Sequence, residues 1–208
     1  MSPLEVPWTM KPLESAATRE ERLADGRVRF SIVHDTLRGV TPEMLVWWFN
    51  HIDGDVEIGG AVLPRYRAWH PRDHVALRYV RASTDGRRFG PGAQVHIVEF
   101  FGANPRFKVD VVSTVEFLDE SGFAHGDWVG GQRLAELRYR FERVPGGTRY
   151  ENALTVGAAG GTVASAFNRW VRPLVFSDEM GRAWLRHNVE EVGNLEHFLP
   201  GLFLRVTA

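Results

Sequence analysis

Polar and apolar residues alternate along several short segments of this chain, as they do in half-buried β-strands. The first such segment is 27–34, with the sequence RVRFSIVH. Further segments are rich in β-branched and aromatic residues and are separated by Gly, Pro, Asn or Asp. These predicted strands cover residues 75–81, 94–101, 108–118, 122–129, 133–143 and 148–156. Because successive strands begin only about ten residues apart, without room for crossover helices, they predict an antiparallel meander.

Helical patterns lie on both sides of the meander. Thr41 is a favourable N-cap and Pro42 suits the first helical position, so a helix is predicted to begin there. Near the C-terminus, Ser177 is a second N-cap, and apolar residues recur at helical spacing after it. Pro200 and Gly201 predict the end of that helix. The predicted helices cover residues 42–51, 162–173 and 177–199.

This order of elements predicts an α+β fold of the helix-grip type. In that architecture a curved antiparallel sheet surrounds a long C-terminal helix, and an internal cavity remains between them. Residues 26–208 are expected to form one domain, since 208 residues suit a single hydrophobic core. Residues 1–25 contain prolines and a charged run, which predicts an arm that is loose or draped on the domain. Residues 54–73 show no clean period and predict a connection or a pocket-lining loop.

The composition excludes several classes of function. Lys and Arg number 25 against 26 Asp and Glu, mixed along the chain, which leaves no basic stripe for nucleic acid or an anionic membrane. The sequence shows neither an apolar run of membrane-spanning length nor the apolar core of a signal peptide, so we expect a cytoplasmic protein. Because cysteines number 0, any metal ion must be bound by histidines and carboxylates. The edge strands of an antiparallel sheet would also permit a homodimer.

The strongest candidate for chemistry is the pair His187 and Glu191 on the long C-terminal helix. Residues four apart share one face of a helix, about 5 to 6 Å apart at Cβ, so the imidazole and the carboxylate can reach one ion. Trp184 and Leu195 place both residues near the apolar stripe, which favours a position facing the cavity. The alternative is an ordinary ion pair on the surface of a charged helix.

Two further motifs contain histidines beside large aromatic residues. In the motif Trp-Trp-Phe-Asn-His that ends at His51, the histidine closes the first helix, and the alternative is that it serves only the helix dipole. Between Trp69 and His74, a proline follows His70 and prevents a regular helix, which predicts a shaped loop or, alternatively, a plain turn. The sequence contains no His-Glu-x-x-His run, nucleophile elbow, phosphate loop or dinucleotide fingerprint, which disfavours those enzyme classes.

Together, three motifs resemble the 2,4-diacetylphloroglucinol hydrolase family, which also includes phloretin hydrolase. They are Trp-Trp-Phe-x-His, the stretch YRAWHPRDH at 66–74, and the helical His-x-x-x-Glu followed by LEHFLP. The resemblance implies a Bet v 1-like, START-type helix-grip fold with a zinc ion in its cavity. It also implies hydrolysis of a carbon-carbon bond between an acyl group and a phenolic, phloroglucinol-like ring. The metal ligands that it implies are His51, His187 and Glu191, together with His74 or, as the alternative, Glu99.

The implied reaction also needs a proton for the ring carbon that leaves. His125 is the candidate for supplying or relaying this proton, and Tyr139 or Tyr150 for positioning a phenolic oxygen. The alternative is that His125 lies on a surface loop and that the tyrosines belong only to the sheet. The expected pocket for an aromatic or phenolic substrate comprises Trp47, Trp69, His70, Glu99 and Trp184.

Two other functions fit the same pattern. A metal-free helix-grip module would bind a hydrophobic or aromatic small molecule in the cavity without chemistry, and His187 with Glu191 would then be a helix ion pair. The second alternative is a catalytically inactive relative that is retained as an interaction protein. Metal content separates these interpretations, because a zinc hydrolase is expected to hold about one zinc ion per chain and to lose it in His187→Ala.

Overall fold

The computed structural model describes residues 3–207, in which the strands form two antiparallel sheets. The strands are β1 Ala17–Arg22, β2 Val28–Val33, β3 Leu37–Arg38, β4 Asp55–Ile58, β5 Ala61–Pro64, β6 His74–Arg81, β7 Gln94–Phe100, β8 Lys108–Asp119, β9 Gly122–Val129, β10 Gln132–Val144 and β11 Gly147–Val156. The large sheet has 9 strands in the order β1-β2-β11-β10-β9-β8-β7-β6, with β3 paired to β11. The small sheet consists of β4 and β5.

The long C-terminal helix supplies much of the core. The α-helices within residues 3–207 are α1 Pro42–Asn50, α2 Arg65–Trp69, α3 Thr162–Trp170, α4 Arg172–Val175 and α5 Asp178–Thr207. On α5, Val189, Val192 and Leu195 are buried. Gly181 lets α5 approach β2 closely, because a Cβ at this position would collide with the ring of Phe30. None of the helices within residues 3–207 is both long and apolar enough to cross a membrane.

The structure confirms the antiparallel meander and the long C-terminal helix that the sequence predicts. Strands β6 to β11 pair with their neighbours in sequence order, and β10 and β11 form the expected hairpin. Thr41 caps α1, since its side-chain oxygen accepts a hydrogen bond of 3.4 Å from the backbone N–H of Met44. The apolar residues form two core clusters, one that includes Trp48 and Leu195 and one that includes Phe30.

Residues 54–73 contain regular structure where the sequence predicts a connection or loop. They hold the hairpin of β4 and β5 and then α2. Gly59 and Gly60 form the turn of this hairpin with φ angles of 58° and 81°, which a two-residue hairpin turn requires. Strands of this length contain too few residues to show a clear hydrophobic period, so the pattern alone predicted a loop.

The two ends of the chain also contain more regular structure than predicted. Strand β1 lies within the expected arm and pairs with β2. Ahead of β1, the indole N–H of Trp8 donates to Asn194 Oδ1 on α5 at 3.0 Å, so the arm lies against that helix. Helix α5 continues through Pro200, contrary to its predicted end there. Leu199 and Leu202 are buried on either side of the proline, and their packing outweighs the hydrogen bond that proline removes.

Candidate metal centre

A cavity of about 350 Å³ lies between the large sheet and α5. Its wall is predominantly apolar and includes aromatic residues from several elements, which suits a small aromatic ligand. These include Phe49, Trp69, Phe89, Phe123, Phe176 and Trp184. The predicted pocket residues Trp69, Glu99 and Trp184 do line the cavity.

Four side chains from three elements meet beside this cavity. His74 begins β6 and lies directly opposite Glu99 in the register of β6 with β7. His187 and Glu191 lie one turn apart on α5, and both line the cavity, as the helical spacing predicted. Glu99, the alternative ligand in the sequence analysis, therefore lies beside His74 instead of replacing it.

The ligand atoms of these residues converge at distances that suit one metal ion. Nε2 of His74 lies 3.3 Å from Glu99 Oε1 and 3.2 Å from Glu191 Oε2. Nε2 of His187 lies 3.7 Å from Glu99 Oε2 and 3.8 Å from Glu191 Oε2. Ligand atoms about 2.0 to 2.1 Å from a tetrahedral zinc ion lie about 3.3 Å from one another, close to these separations.

The hydrogen bonds of the two histidines show that the converging nitrogens carry lone pairs. Nδ1–H of His74 donates to the backbone carbonyl of Tyr66 at 2.7 Å, and Nδ1–H of His187 donates to Asp73 Oδ2 at 3.0 Å. In a neutral imidazole the other nitrogen is then an acceptor. Among the described residues His74 Nε2 has no hydrogen-bond partner, although it is buried and faces two carboxylates. Acceptors that face one another need a cation between them, so these residues fit a metal ion.

The pKa values agree with this requirement for a cation. Burial raises the pKa of Glu191 well above its usual value, and that of Glu99 to about 7. Burial also lowers the pKa of His74 and His187, which keeps both rings neutral and able to bind a metal. Without a positive ion, the site therefore disfavours the charged carboxylates that would bind one.

A second group of possible ligands, His70, Asp73 and His187, lies on the other side of the His187 ring. Here every hydrogen bond is satisfied within the protein. The Asp73 carboxylate accepts from the backbone N–H groups of Gly102 at 2.7 Å and Ala103 at 2.9 Å. Nδ1 of His70 accepts from the backbone N–H of Asp73, so its Nε2–H donates to a carboxylate oxygen of Glu190 at 3.1 Å. This second group holds His187 in position and has no unsatisfied acceptor for a metal ion among the described atoms.

His51 does not join this cluster in the structure, which corrects the prediction that it is a metal ligand. It is exposed at the C-terminal end of α1, where its Nδ1–H donates to the carbonyl of Trp47 at 2.7 Å. Its ring stacks on the Trp47 indole with 4.5 Å between centroids. The alternative of a histidine held at the helix C-terminus describes this position. Trp47 packs against His51 and Arg65. The predicted pocket residues Trp47 and His70 are not among the residues that line the described cavity.

His125, the predicted proton relay, and Tyr139, predicted to position a phenolic oxygen, both line the cavity. Ser113 Oγ lies 2.6 Å from His125 Nδ1, and the hydroxyl of Tyr139 lies 3.5 Å from His125 Nε2. Burial lowers the pKa of His125 to about 3 and raises that of Asp127, which lies opposite Ser113 in the register of β8 with β9, to about 6. Tyr150 packs behind Tyr139 with 6.0 Å between ring centroids and is not among the lining residues, which corrects its predicted role of positioning a substrate oxygen.

Three residues at the centre were missed by the sequence analysis. Tyr66 stacks on His74 at 4.1 Å between ring centroids and donates its hydroxyl to Glu99. Asp73 orients His187, and Asn188 donates an amide N–H to Glu191. Tyr66 begins the 66–74 motif and Asp73 directly precedes its last histidine, so their place in this motif was an available signal.

One family comparison bears directly on this site. Residues 20–110 match the family model of the DAPG hydrolase PhiG domain. The match confirms the resemblance inferred from the motifs and relates the chain to a hydrolase family over that segment. His74 and Glu99 lie inside the segment, whereas the α5 residues of the centre lie outside it. The chain has no match among the curated proteins.

Solved structures confirm the fold over most of the chain. The crystal structure of TTHA0849 from Thermus thermophilus is 14% identical, has a TM-score of 0.52, and covers 88% of this chain and 98% of its own. A START superfamily protein from Mycobacterium smegmatis is also 14% identical, with a TM-score of 0.50, and covers 87% and 99%. The chain therefore has the predicted fold of the Bet v 1 and START type, with its large antiparallel sheet and long C-terminal helix.

Proposed function

We propose that this protein is a zinc-dependent hydrolase that cleaves the carbon-carbon bond between an acyl group and a phenolic ring. The observation that carries the proposal is the buried lone pair of His74 Nε2, which faces Glu99 and Glu191 and has no hydrogen-bond partner among the described residues. The DAPG hydrolase match supports the choice of reaction. The donor set of two histidines and two carboxylates suits zinc.

The proposed mechanism divides the work between the metal centre and the cavity. Zinc bound by His74, Glu99, His187 and Glu191 would supply a Lewis acid that polarises an acyl carbonyl. The apolar wall excludes bulk water from the ring, and Trp69 and Trp184 provide faces on which a phenol can stack. The net reaction adds the hydroxyl of one water molecule to the acyl carbon and a hydrogen to the ring carbon.

His125 is the residue that we propose protonates the ring carbon. Its low pKa keeps the ring neutral, so it can give up the proton on one nitrogen only as the other nitrogen takes up a proton, which makes it a relay. When Nε2 carries this proton, Nδ1 accepts from the hydroxyl of Ser113 at 2.6 Å. Asp127 lies opposite Ser113 in the register of β8 with β9, where its carboxyl group would return a proton to the serine. Tyr139, 3.5 Å from Nε2, lies where it can orient a phenolic oxygen.

Metal content and product formation together test the proposal. The purified protein is expected to hold about one zinc ion per chain by elemental analysis. Incubation of the zinc-loaded protein with diacetylphloroglucinol in H2¹⁸O is expected to release acetate that carries ¹⁸O and the deacylated phenol. Glu191→Gln is expected to lose both metal and activity. The control His96→Ala removes a partly exposed histidine that pairs with Asp110 on the sheet, and it is expected to retain both.

A metal-free binding module is the second candidate, and the apolar cavity of about 350 Å³ is the observation that favours it. A purified chain that holds no zinc and takes up none on addition, yet binds a fluorescent apolar probe, would replace the hydrolase proposal with this one. Zinc binding without turnover of any acylated phenol would instead indicate a catalytically inactive relative.

A further inference from the structure

A chain of buried polar side chains leads from β2 to the metal centre. Nε2 of His34, the residue that follows β2, lies 3.2 Å from Asn152 Oδ1 on β11. The amide N–H of Asn152 donates a hydrogen bond to Asn188 Oδ1 on α5, and the amide N–H of Asn188 donates one to Glu191 Oε1. The exposed fractions of these four residues are 8%, 5%, 1% and 4%, so water competes little for any of these hydrogen bonds.

The direction of each hydrogen bond follows from the carboxylate. A carboxylate oxygen accepts, so the amide nitrogen of Asn188 must face Glu191. The amide oxygen of Asn188 then accepts from the amide nitrogen of Asn152, whose oxygen accepts from His34 Nε2–H. Burial lowers the pKa of His34 to about 4, and the neutral ring carries the one proton that this arrangement needs on Nε2. The whole chain therefore donates toward Glu191.

This arrangement leaves the two oxygens of Glu191 with different partners. Oε1 accepts from Asn188, while Oε2 lies 3.2 Å from His74 Nε2 and 3.8 Å from His187 Nε2. Rotation of the carboxylate would break the bond to Asn188 and, through it, the alignment of Asn152. Only Oε2 is therefore presented to the cluster of ligand atoms.

We propose that His34, Asn152 and Asn188 are positioning residues that hold Glu191 so that a single oxygen, Oε2, binds the metal ion. The inference rests on the proposed metal site. None of the three residues touches the ligand atoms of His74 or His187 through a hydrogen bond that the structure describes, so they act through Glu191. Mutation of a residue that hydrogen-bonds directly to a metal ligand, as Asn188 does, typically weakens metal binding by about 10- to 100-fold.

The test measures zinc affinity and the Co²⁺ spectrum, not turnover. The apo protein is titrated with zinc against a chromophoric chelator, and separately with Co²⁺. Asn188→Ala is expected to weaken zinc binding by about 10-fold or more. It is also expected to shift the visible Co²⁺ bands, because the carboxylate can then bind through both oxygens.

The variants at His34 separate positioning from folding. His34→Ala changes a side chain farther from the centre and is expected to weaken zinc binding by about 3-fold. His34→Gln, whose amide nitrogen can donate to Asn152 in place of Nε2–H, is expected to restore the affinity and the Co²⁺ spectrum.

A matched control and two contrary outcomes make the test decisive. Asn168→Ala removes another buried asparagine, which bonds to the backbone of Asp25 and Ala158, and it is expected to reduce stability without changing zinc affinity or the Co²⁺ spectrum. Unchanged zinc affinity and Co²⁺ spectra in both Asn188→Ala and His34→Ala would overturn the inference and leave the proposed function standing. A wild-type chain that binds no zinc would overturn both.

Discussion

The two sides of the His187 ring hold similar sets of residues and differ in their hydrogen bonding. On the Nδ1 side, Asp73 and His70 form a group whose donors and acceptors are all paired within the protein. On the Nε2 side, His74 and two carboxylates form a group in which acceptors face acceptors. Both sides bring at least three possible ligand atoms within reach of one ion.

This difference teaches that proximity of ligand atoms does not by itself define a metal site. A group that satisfies its own hydrogen bonds gains nothing from an ion and would lose those bonds on binding one. A group with buried, opposed lone pairs is stabilised by a positive charge. The Nδ1 side, with His70 and Asp73, is therefore called the paired side and positions His187. The Nε2 side, with His74, Glu99 and Glu191, is called the unpaired side and is the one expected to bind the metal.

The largest expected effect comes from removing a ligand on the unpaired side. His74→Ala is expected to weaken zinc binding by more than the roughly 100-fold that marks the loss of a ligand's outer partner. Competition with a chromophoric chelator measures this change. His70→Ala, on the paired side, is the matched comparison and is expected to weaken zinc binding by no more than the roughly 10- to 100-fold of a residue that positions a ligand. Equal losses in the two variants would show that the sides are not distinct.

Zinc removal provides the next test of the unpaired side. When free zinc is present at about 100 times its Kd, its binding is expected to raise the free energy of unfolding by about 2.7 kcal/mol. The reason is that only the folded chain holds the four ligands together. Urea unfolding with and without EDTA measures this difference. His70→Gln should show the same stabilisation by zinc, whereas His74→Ala should show almost none. A wild-type stability that does not respond to EDTA would contradict the comparison.

Acid titration then distinguishes the paired side. Burial lowers the pKa of His70 from its usual 6.5 to about 3, so the folded chain resists a proton that the unfolded chain takes up below pH 6.5. The stability that depends on neutral His70 is complete above pH 6.5 and is lost as the pH falls toward 3. His70→Gln does not titrate and keeps a donor for Glu190.

The difference in unfolding free energy between wild type and His70→Gln reports the titration of His70 alone. In EDTA, the unfolding free energy of wild type minus that of His70→Gln is expected to fall by about 1.4 kcal/mol for each pH unit below 6.5. Urea unfolding at pH 7, 6 and 5 measures the slope. A difference that stays constant over this range would mean that His70 is protonated in the folded chain, contrary to the pairing described for it.

Local patterns in the sequence were sufficient for the meander, the long C-terminal helix and part of the centre. The period of the strands predicted the meander, and the spacing of four placed His187 and Glu191 together on α5. The role of Glu99 beside His74 depends on the register of β6 with β7, which no local pattern encodes. The hydrogen bond from His187 to Asp73 likewise joins segments that only the folded chain brings together.

His51 is the position where the sequence was misleading, and it gives the smallest expected effect. The motif around it matched the family pattern, but the backbone of α1 leaves the side chain exposed beside Trp47. Loss of an exposed side chain with one local hydrogen bond is expected to change stability by less than about 0.5 kcal/mol. His51→Ala should therefore keep the zinc content and affinity of wild type, as measured by elemental analysis and chelator competition. Loss of zinc from this variant would return His51 to the metal centre and require a different conformation at the end of α1.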